Sequence, residues 1–187
     1  KKMIKFVYQN KPLGTGDAVL KTKKYIKGKY FLMLFPDDLI IKKNCSKSMI
    51  SSHKKFKSSI MACMNVKKET IPRWGIFDIR KKLNKNDFLI NRVIEKPSIK
   101  NAPSNKAVIG RYILPKLIFQ KLKNQKYGKG NEKHITDAIQ SLINDKEKFV
   151  AHRFSGKYLD CGTMNGYINS SIEISKLWNS VWLAQVM

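Results

Sequence analysis

An α/β three-layer sandwich is the fold class that this sequence predicts, and three observations predict it. Residues 31–35 are five apolar residues in a row, Phe-Leu-Met-Leu-Phe, closed abruptly by Pro36-Asp37-Asp38. A continuous run of that length fits a strand covered on both faces, as in a parallel sheet with helices on each side. Strand-like runs then alternate with segments of helical period along the chain. One pair of runs, around Trp74 and Phe88, is joined too tightly for a crossover and must pair antiparallel, so the sheet is mixed.

The elements follow in order. Lys1-Lys2 opens the chain in a strand-like context, with no initiator Met, which suggests a start in mid-domain; residues 5–9 read as a short strand. Pro12-Leu-Gly14-Thr-Gly16 then turns into a helix carrying Ala18, Val19, Leu20 and Ile26, with Thr15 or Asp17 as its cap. Pro36 cannot donate to a ladder and ends the strand of residues 31–35. A polar helix over 46–56 is capped by Asn44 or Ser46. Residues 59–64 form a second buried strand, 67–72 a loop, and 74–79 a strand. A charged turn over 81–87 returns the chain along 88–94 to Glu95-Lys96-Pro97. After a loop over 99–105, residues 107–113 form a strand with Gly110 inside it, a place where a ligand or another backbone often comes close. Pro115 opens a helix through Leu122. The turn Tyr127-Gly-Lys-Gly130 precedes an amphipathic helix carrying Thr136, Ile139, Leu142 and Ile143. A strand over 149–154, a short piece ending at Asp160 and a helix from Met164 past Leu177 complete the chain.

Length and composition bound the possibilities. The 187 residues suffice for one domain with a sizeable core. A hydrophobic fraction of 42% argues against disorder. The 38 Lys and Arg against 13 Asp and Glu give a net charge of +25, which by itself suggests a nucleic-acid or anionic-membrane partner. Only Arg73, Arg80, Arg92, Arg111 and Arg153 are arginine, however, and the lysines are spread along the whole chain; base-edge readers favour Arg. Cys45, Cys63 and Cys161 are odd in number and lack Cys-x-x-Cys spacing, which argues against a disulfide framework or zinc site and for a reducing, cytoplasmic compartment. No apolar stretch approaches the ~20 residues of a membrane helix, and no signal peptide is visible.

Several chemically useful residues fall at strand ends: Gln9 with Gly14, Asp37 with Asp38, Gly75, Glu95 with Lys96, Gly110, and Lys157 with Asp160. Ligands of open α/β sheets bind at such ends. Adjacent carboxylates there suit Mg²⁺, which prefers oxygen ligands and phosphate company, although Pro-Asp-Asp and Pro-Leu-Gly are also ordinary turn chemistry. His53, His134 and His152 have no partner spacing and read as surface residues.

In order and wording these segments resemble the bacterial UTP–glucose-1-phosphate uridylyltransferases of the sugar-nucleotide pyrophosphorylase superfamily. The matching stretches are Gln9-Asn-Lys-Pro-Leu-Gly14-Thr-Gly16-Asp-Ala-Val19, Phe35-Pro-Asp37-Asp38, Glu95-Lys96-Pro97, Ala102-Pro-Ser-Asn105, Ile109-Gly110-Arg-Tyr-Ile113, Ile135-Thr-Asp-Ala-Ile139 and Gly156-Lys157-Tyr-Leu-Asp160-Cys-Gly162. No single motif suffices; the combination, over about residues 5–176, is specific.

The resemblance implies a mixed, mostly parallel Rossmann-like sheet of the nucleotide-diphospho-sugar transferase type. It implies formation of UDP-glucose and pyrophosphate from UTP and glucose 1-phosphate with Mg²⁺; thymidylyl or adenylyl transfer is the near alternative and nucleic-acid binding the distant one. Gln9 and Gly14 then hold the uracil base. Asp37 and Asp160 hold the metal, so that Asp37, Lys96 and Asp160 form the catalytic set. Glu95 accepts from the sugar hydroxyls, Lys96 binds the sugar phosphate, and Gly75 and Gly110 line the sugar pocket. Lys157 is a further candidate phosphate contact. The expected partners are these small molecules, with no nucleic acid or membrane, and the full-length protein is expected to be a homo-oligomer.

The family also begins with a strand and a Gly-Thr-Arg loop that cradles the triphosphate. No such stretch precedes Lys1. The expectation is therefore a single, partial nucleotidyltransferase domain over 1–187 that lacks the N-terminal βα unit and is inactive alone. Asn131-Glu132-Lys133-His134 departs from the family's Gly-Glu with apolar neighbours, and residues 177–187 drift from it as well.

Overall fold

The protein is described here from a computed structural model, which covers residues 4–186. The opening Lys1-Lys2 lies outside these residues. Helix α1 (Thr15–Lys21) follows Gly14, whose φ of +92° only glycine adopts readily. A Cβ there would sit 2.6 Å from the Lys133 carbonyl. No side chain caps this helix; its start is held instead by the Gly16 N–H, which donates to the Lys133 carbonyl at 2.7 Å.

Strands β1 (Tyr30–Leu34) and β2 (Asp38–Ile41) flank the Pro36 turn. Helix α2 (Cys45–Phe56) starts as the sequence suggests, with the Asn44 side chain accepting from the Lys47 N–H at 2.9 Å. Then come β3 (Ser59–Asn65), β4 (Gly75–Lys82), β5 (Asp87–Glu95) and β6 (Lys106–Pro115). The chain closes with α3 (Ile118–Asn124), α4 (Ile135–Asn144), β7 (Phe149–Arg153), β8 (Lys157–Asp160) and α5 (Met164–Val186).

Six strands form the main sheet in the order β1-β6-β3-β7-β5-β4. Alternate residues of its strands face opposite layers, as the period of two requires. Met61, Cys63, Tyr112, Leu114 and Ala151 join α1, α3 and α4 in the larger core. Ile60, Ala62, Ile109, Ile113 and Val150 meet Cys45 and Met49 of α2 on the other side. The three layers are therefore helices, sheet, helix, as expected.

The strand directions are not as expected. Among the described residues only β3 and β7 pair parallel; the other pairings are antiparallel, so the sheet is mostly antiparallel. A continuous apolar run reports burial on both faces and carries no information about direction. Here β6 returns between β1 and β3 and runs against both.

Four local expectations also change. Residues 5–9 are not a strand and are largely exposed. β1 lies at the sheet edge with Phe31 and Met33 turned to the core, while Leu32 and Leu34 are exposed. Pro115 ends β6 opposite Tyr30, and the helix begins three residues later. β2, absent from the sequence reading, pairs antiparallel with β8 and sets Asp38 directly opposite Asp160. This two-stranded ribbon is the device that brings the two distant acidic segments together.

Candidate functional site

A cleft of about 630 Å³ opens on the sheet ends. One wall is the β4–β5 hairpin, where Gly75 pairs with Glu95 across the ladder. A side chain at Gly75 would place its Cβ 3.0 Å from the Glu95 Oε2, so glycine here leaves the space that the carboxylate occupies. Lys96 follows at φ +47°, a left-handed conformation that costs a non-glycine residue about 1–2 kcal/mol. Its N–H donates to the Trp74 carbonyl at 3.0 Å, which fixes this bend. Glu95, Lys96, Gly75 and Gly110 all line the cleft, so the four residues assigned to the sugar come together.

Gly110 forms part of the floor for a steric reason. A Cβ there would lie 2.4 Å from both the Asp38 Oδ2 and the Phe35 ring. The Gly110 N–H donates to Asp38 Oδ2 at 2.6 Å, and the Phe35 N–H donates to the Gly110 carbonyl at 2.7 Å. The second Asp38 oxygen accepts from the Tyr158 hydroxyl, and the Asp38 carbonyl accepts from Arg111 Nη2 at 3.0 Å. Burial raises the Asp38 pKa, and the Asp37 and Asp160 carboxylates add to the rise against the opposing Tyr158 and Gly110 hydrogen bonds. Asp38 is thus occupied in tying the Pro36 turn to β6 and β8.

Asp37 and Asp160 are arranged differently. A Cβ at Gly162 would stand 2.9 Å from Asp37 Oδ2 and 3.3 Å from Asp160 Oδ1. Both carboxylates therefore border the same small residue, one just before β2 and one at the end of β8. The Cys161 N–H donates to the Asp37 carbonyl at 2.8 Å, and the Gly162 N–H to Asp160 Oδ1 at 2.9 Å. Among the described residues no group of three or more His, Cys, Asp or Glu is arranged to hold a metal ion. Two carboxylates with room for phosphate oxygens still fit Mg²⁺, which keeps waters and substrate phosphates in its shell.

Gln9 and Gly14 are brought together as well, though outside the lining of this cleft. Gln9 Nε2 donates to the Gly14 carbonyl at 3.1 Å and to Asp17 Oδ2 at 2.8 Å. The next residue, Thr15, does line the cleft, and its hydroxyl accepts from the Ile135 N–H at 3.3 Å. The starts of α1 and α4 are thereby joined at the cleft.

Other expectations move. Lys157 ion-pairs with Glu173 of α5 and lies outside the cleft lining. His134, read as a surface residue, lines the cleft beside Thr136 and Asp137. His152 is buried between Asp87 and Ser48. His53 is half-buried, with Nδ1 2.6 Å from the Ser58 carbonyl and its ring against Tyr30. The sequence reading missed Val93, Val108 and Tyr112 as cleft residues. Tyr112 and Val108 flank Gly110 on β6 and could have been found from that glycine. Burial, with Asp38 and Glu95 nearby, raises the Tyr112 pKa.

Comparison with known proteins gives a consistent result. Residues 2–176 match the family model described as nucleotidyl transferase. The chain is 34% identical over 173 residues to a UTP–glucose-1-phosphate uridylyltransferase of Streptococcus pyogenes serotype M3, covering 90% of this chain and 58% of that protein. Among solved structures, a UDP-glucose pyrophosphorylase complexed with UDP-glucose superposes with a TM-score of 0.84 at 36% identity, covering 92% of this chain and 66% of that one. A UTP-bound enzyme of the same kind from Acinetobacter baumannii superposes with a TM-score of 0.78 at 32% identity, covering 88% of this chain and 57% of that one. The chain therefore spans well under two thirds of the length of the curated relative.

Proposed function

This chain belongs to the nucleotidyl transferase family, and from that premise we propose that it serves uridylyl transfer from UTP to glucose 1-phosphate, giving UDP-glucose and pyrophosphate. The observation that carries the reading is the grouping of Gly75, Glu95, Lys96 and Gly110 in one cleft, with Asp37 and Asp160 on the adjoining ribbon. The 34% identity to a uridylyltransferase supports the choice of UTP. Residues 1–187 are read as one nucleotidyltransferase domain.

In this reading Glu95 accepts hydrogen bonds from sugar hydroxyls, and Gly75 and Gly110 leave room for the ring. The Lys96 ammonium holds the sugar phosphate. A phosphate oxygen of glucose 1-phosphate attacks the α-phosphorus of UTP, and the bond to the departing pyrophosphate breaks. That oxygen is already anionic, so the chain supplies neither a nucleophile nor a general base; it supplies position and charge. Asp37 and Asp160 would hold Mg²⁺, which when bound neutralises phosphate charge. Gln9 and Gly14 would meet the base, the Gln9 amide offering both a donor and an acceptor. The partners of this chemistry are small molecules.

A nucleotide panel tests the proposal. In the full-length protein, with glucose 1-phosphate and Mg²⁺, pyrophosphate release should be greatest with UTP. A preference for dTTP or ATP would overturn the uridylyl assignment.

A further inference from the structure

Away from the cleft, three elements place a serine, a histidine and an aspartate in hydrogen-bonding sequence. Asp87 opens β5, His152 lies in β7 and Ser48 in the second turn of α2. His152 Nδ1 is 2.7 Å from Asp87 Oδ1, and His152 Nε2 is 3.0 Å from Ser48 Oγ. Asp87 is itself oriented by Ser52, whose hydroxyl donates to Oδ1 at 2.6 Å, and by Asn84, whose Nδ2 donates to Oδ2 at 2.8 Å. Asp87 and His152 are buried. Ser48 and His152 both line a separate cavity of about 320 Å³, together with Lys43, Lys47 and Arg153.

We propose that Ser48 is the nucleophile of a second site, activated by His152 and Asp87, that hydrolyses small esters bearing an anionic group. An ionised Asp87 takes the Nδ1–H of His152, which leaves Nε2 as the acceptor for the Ser48 hydroxyl proton. That hydroxyl also reaches the Cys45 carbonyl at 2.8 Å, and it leaves this acceptor for Nε2 as it reacts. Oγ adds to the ester carbonyl carbon while its proton passes to Nε2. The C–O bond to the leaving alcohol breaks, and the alcohol departs with that proton. Water then adds to the acyl carbon, again through Nε2, and restores the serine with release of the acid.

The cavity defines the substrate class. Among the described residues none of Lys43, Lys47 and Arg153 pairs with a carboxylate. Arg153 is held in place by acceptors from the β4–β5 turn, Asn86 Oδ1 at 3.0 Å and the Lys85 carbonyl at 3.3 Å. Three cations around a reactive hydroxyl favour an anionic ester and stabilise the oxyanion formed on attack. The constellation is recognised by geometry and role, not by its order in the chain.

The test uses the whole protein with two 4-nitrophenyl esters, the acetate and the hemisuccinate, and a fluorophosphonate probe. The hemisuccinate should be cleaved about tenfold faster than the acetate, and one probe adduct should map to Ser48. Ser48→Ala removes the hydroxyl but keeps the buried Asp87–His152 pair; it should abolish both signals while retaining a cooperative thermal transition. Lys43→Gln should slow cleavage of the hemisuccinate more than that of the acetate and so narrow the preference between them. Ester cleavage equal in the protein and in Ser48→Ala overturns the proposal. Absence of an adduct at Ser48 in folded protein overturns it too, and an adduct without ester turnover overturns the hydrolytic step.

Discussion

The Gly110 N–H donates to Asp38 Oδ2 at 2.6 Å, joining the acidic turn after β1 to the middle of β6. One carboxylate of the Pro-Asp-Asp turn is thereby used for structure, which leaves its neighbour Asp37 facing Gly162 and Asp160. The two acids of one turn thus stand in different surroundings, and substitution should distinguish them.

Gly110→Ala should destabilise the fold by about 1–3 kcal/mol. The added methyl meets both the Phe35 ring and Asp38 Oδ2 at 2.4 Å, and neither can move without loosening the cleft floor. The midpoint of urea denaturation checks this; an unchanged midpoint would show that the floor yields freely.

Tyr158→Phe should lower stability by about 1–2 kcal/mol, because a half-buried carboxylate loses a hydroxyl donor. The affinity for Mn²⁺, used as a probe of the proposed metal site, should stay within a fewfold of the parent by calorimetry. Asp37→Asn and Asp160→Asn should do the reverse. They should keep the denaturation midpoint and weaken Mn²⁺ binding, and in the full-length protein they should slow pyrophosphate release by about 100-fold or more.

In the full-length protein, Lys96→Ala should raise the KM for glucose 1-phosphate about tenfold with little effect on the KM for UTP. Lys96 lines the cleft beside Glu95, whereas Gln9 and Gly14 lie beyond Thr15. A larger penalty on UTP would place Lys96 at the triphosphate.

Acid should destabilise the protein partly through Asp87. Burial pushes this carboxyl up, but hydrogen bonds from Ser52, His152 and Asn84, with the charge of His152, outweigh burial and leave its pKa below the usual range. In acid the unfolded chain therefore binds the proton more readily than the folded one. The contribution is complete above the unfolded value of about 3.9 and is lost as pH falls through the lower folded value. Urea midpoints between pH 5 and 2.5 should fall more steeply for the parent than for Asp87→Asn; parallel curves would reject the assignment.

The sequence by itself determined what depends on neighbours along the chain. The run ending at Pro36 located β1, the Asn44 and Ser46 cap candidates located the start of α2 to within two residues, and the short link between the Trp74 and Phe88 runs determined an antiparallel hairpin. Motif wording then chose Glu95 and Lys96, which line the cleft, and Asp37 and Asp160, which flank Gly162.

Tertiary structure decided what depends on pairing between distant segments. Strand direction is one case: apolar runs bury equally well in either sense, so only the return of β6 between β1 and β3 made the sheet mostly antiparallel. The different surroundings of Asp37 and Asp38 are another. Adjacent carboxylates are chemically alike in sequence, and they differ here because Gly110 and Tyr158 come from far along the chain to bond one of them. His152 makes the same point: its spacing suggested an exposed ring, yet Asp87 and Ser48 meet it only once β5, β7 and α2 pack, since a buried imidazole needs partners that the fold alone brings within reach.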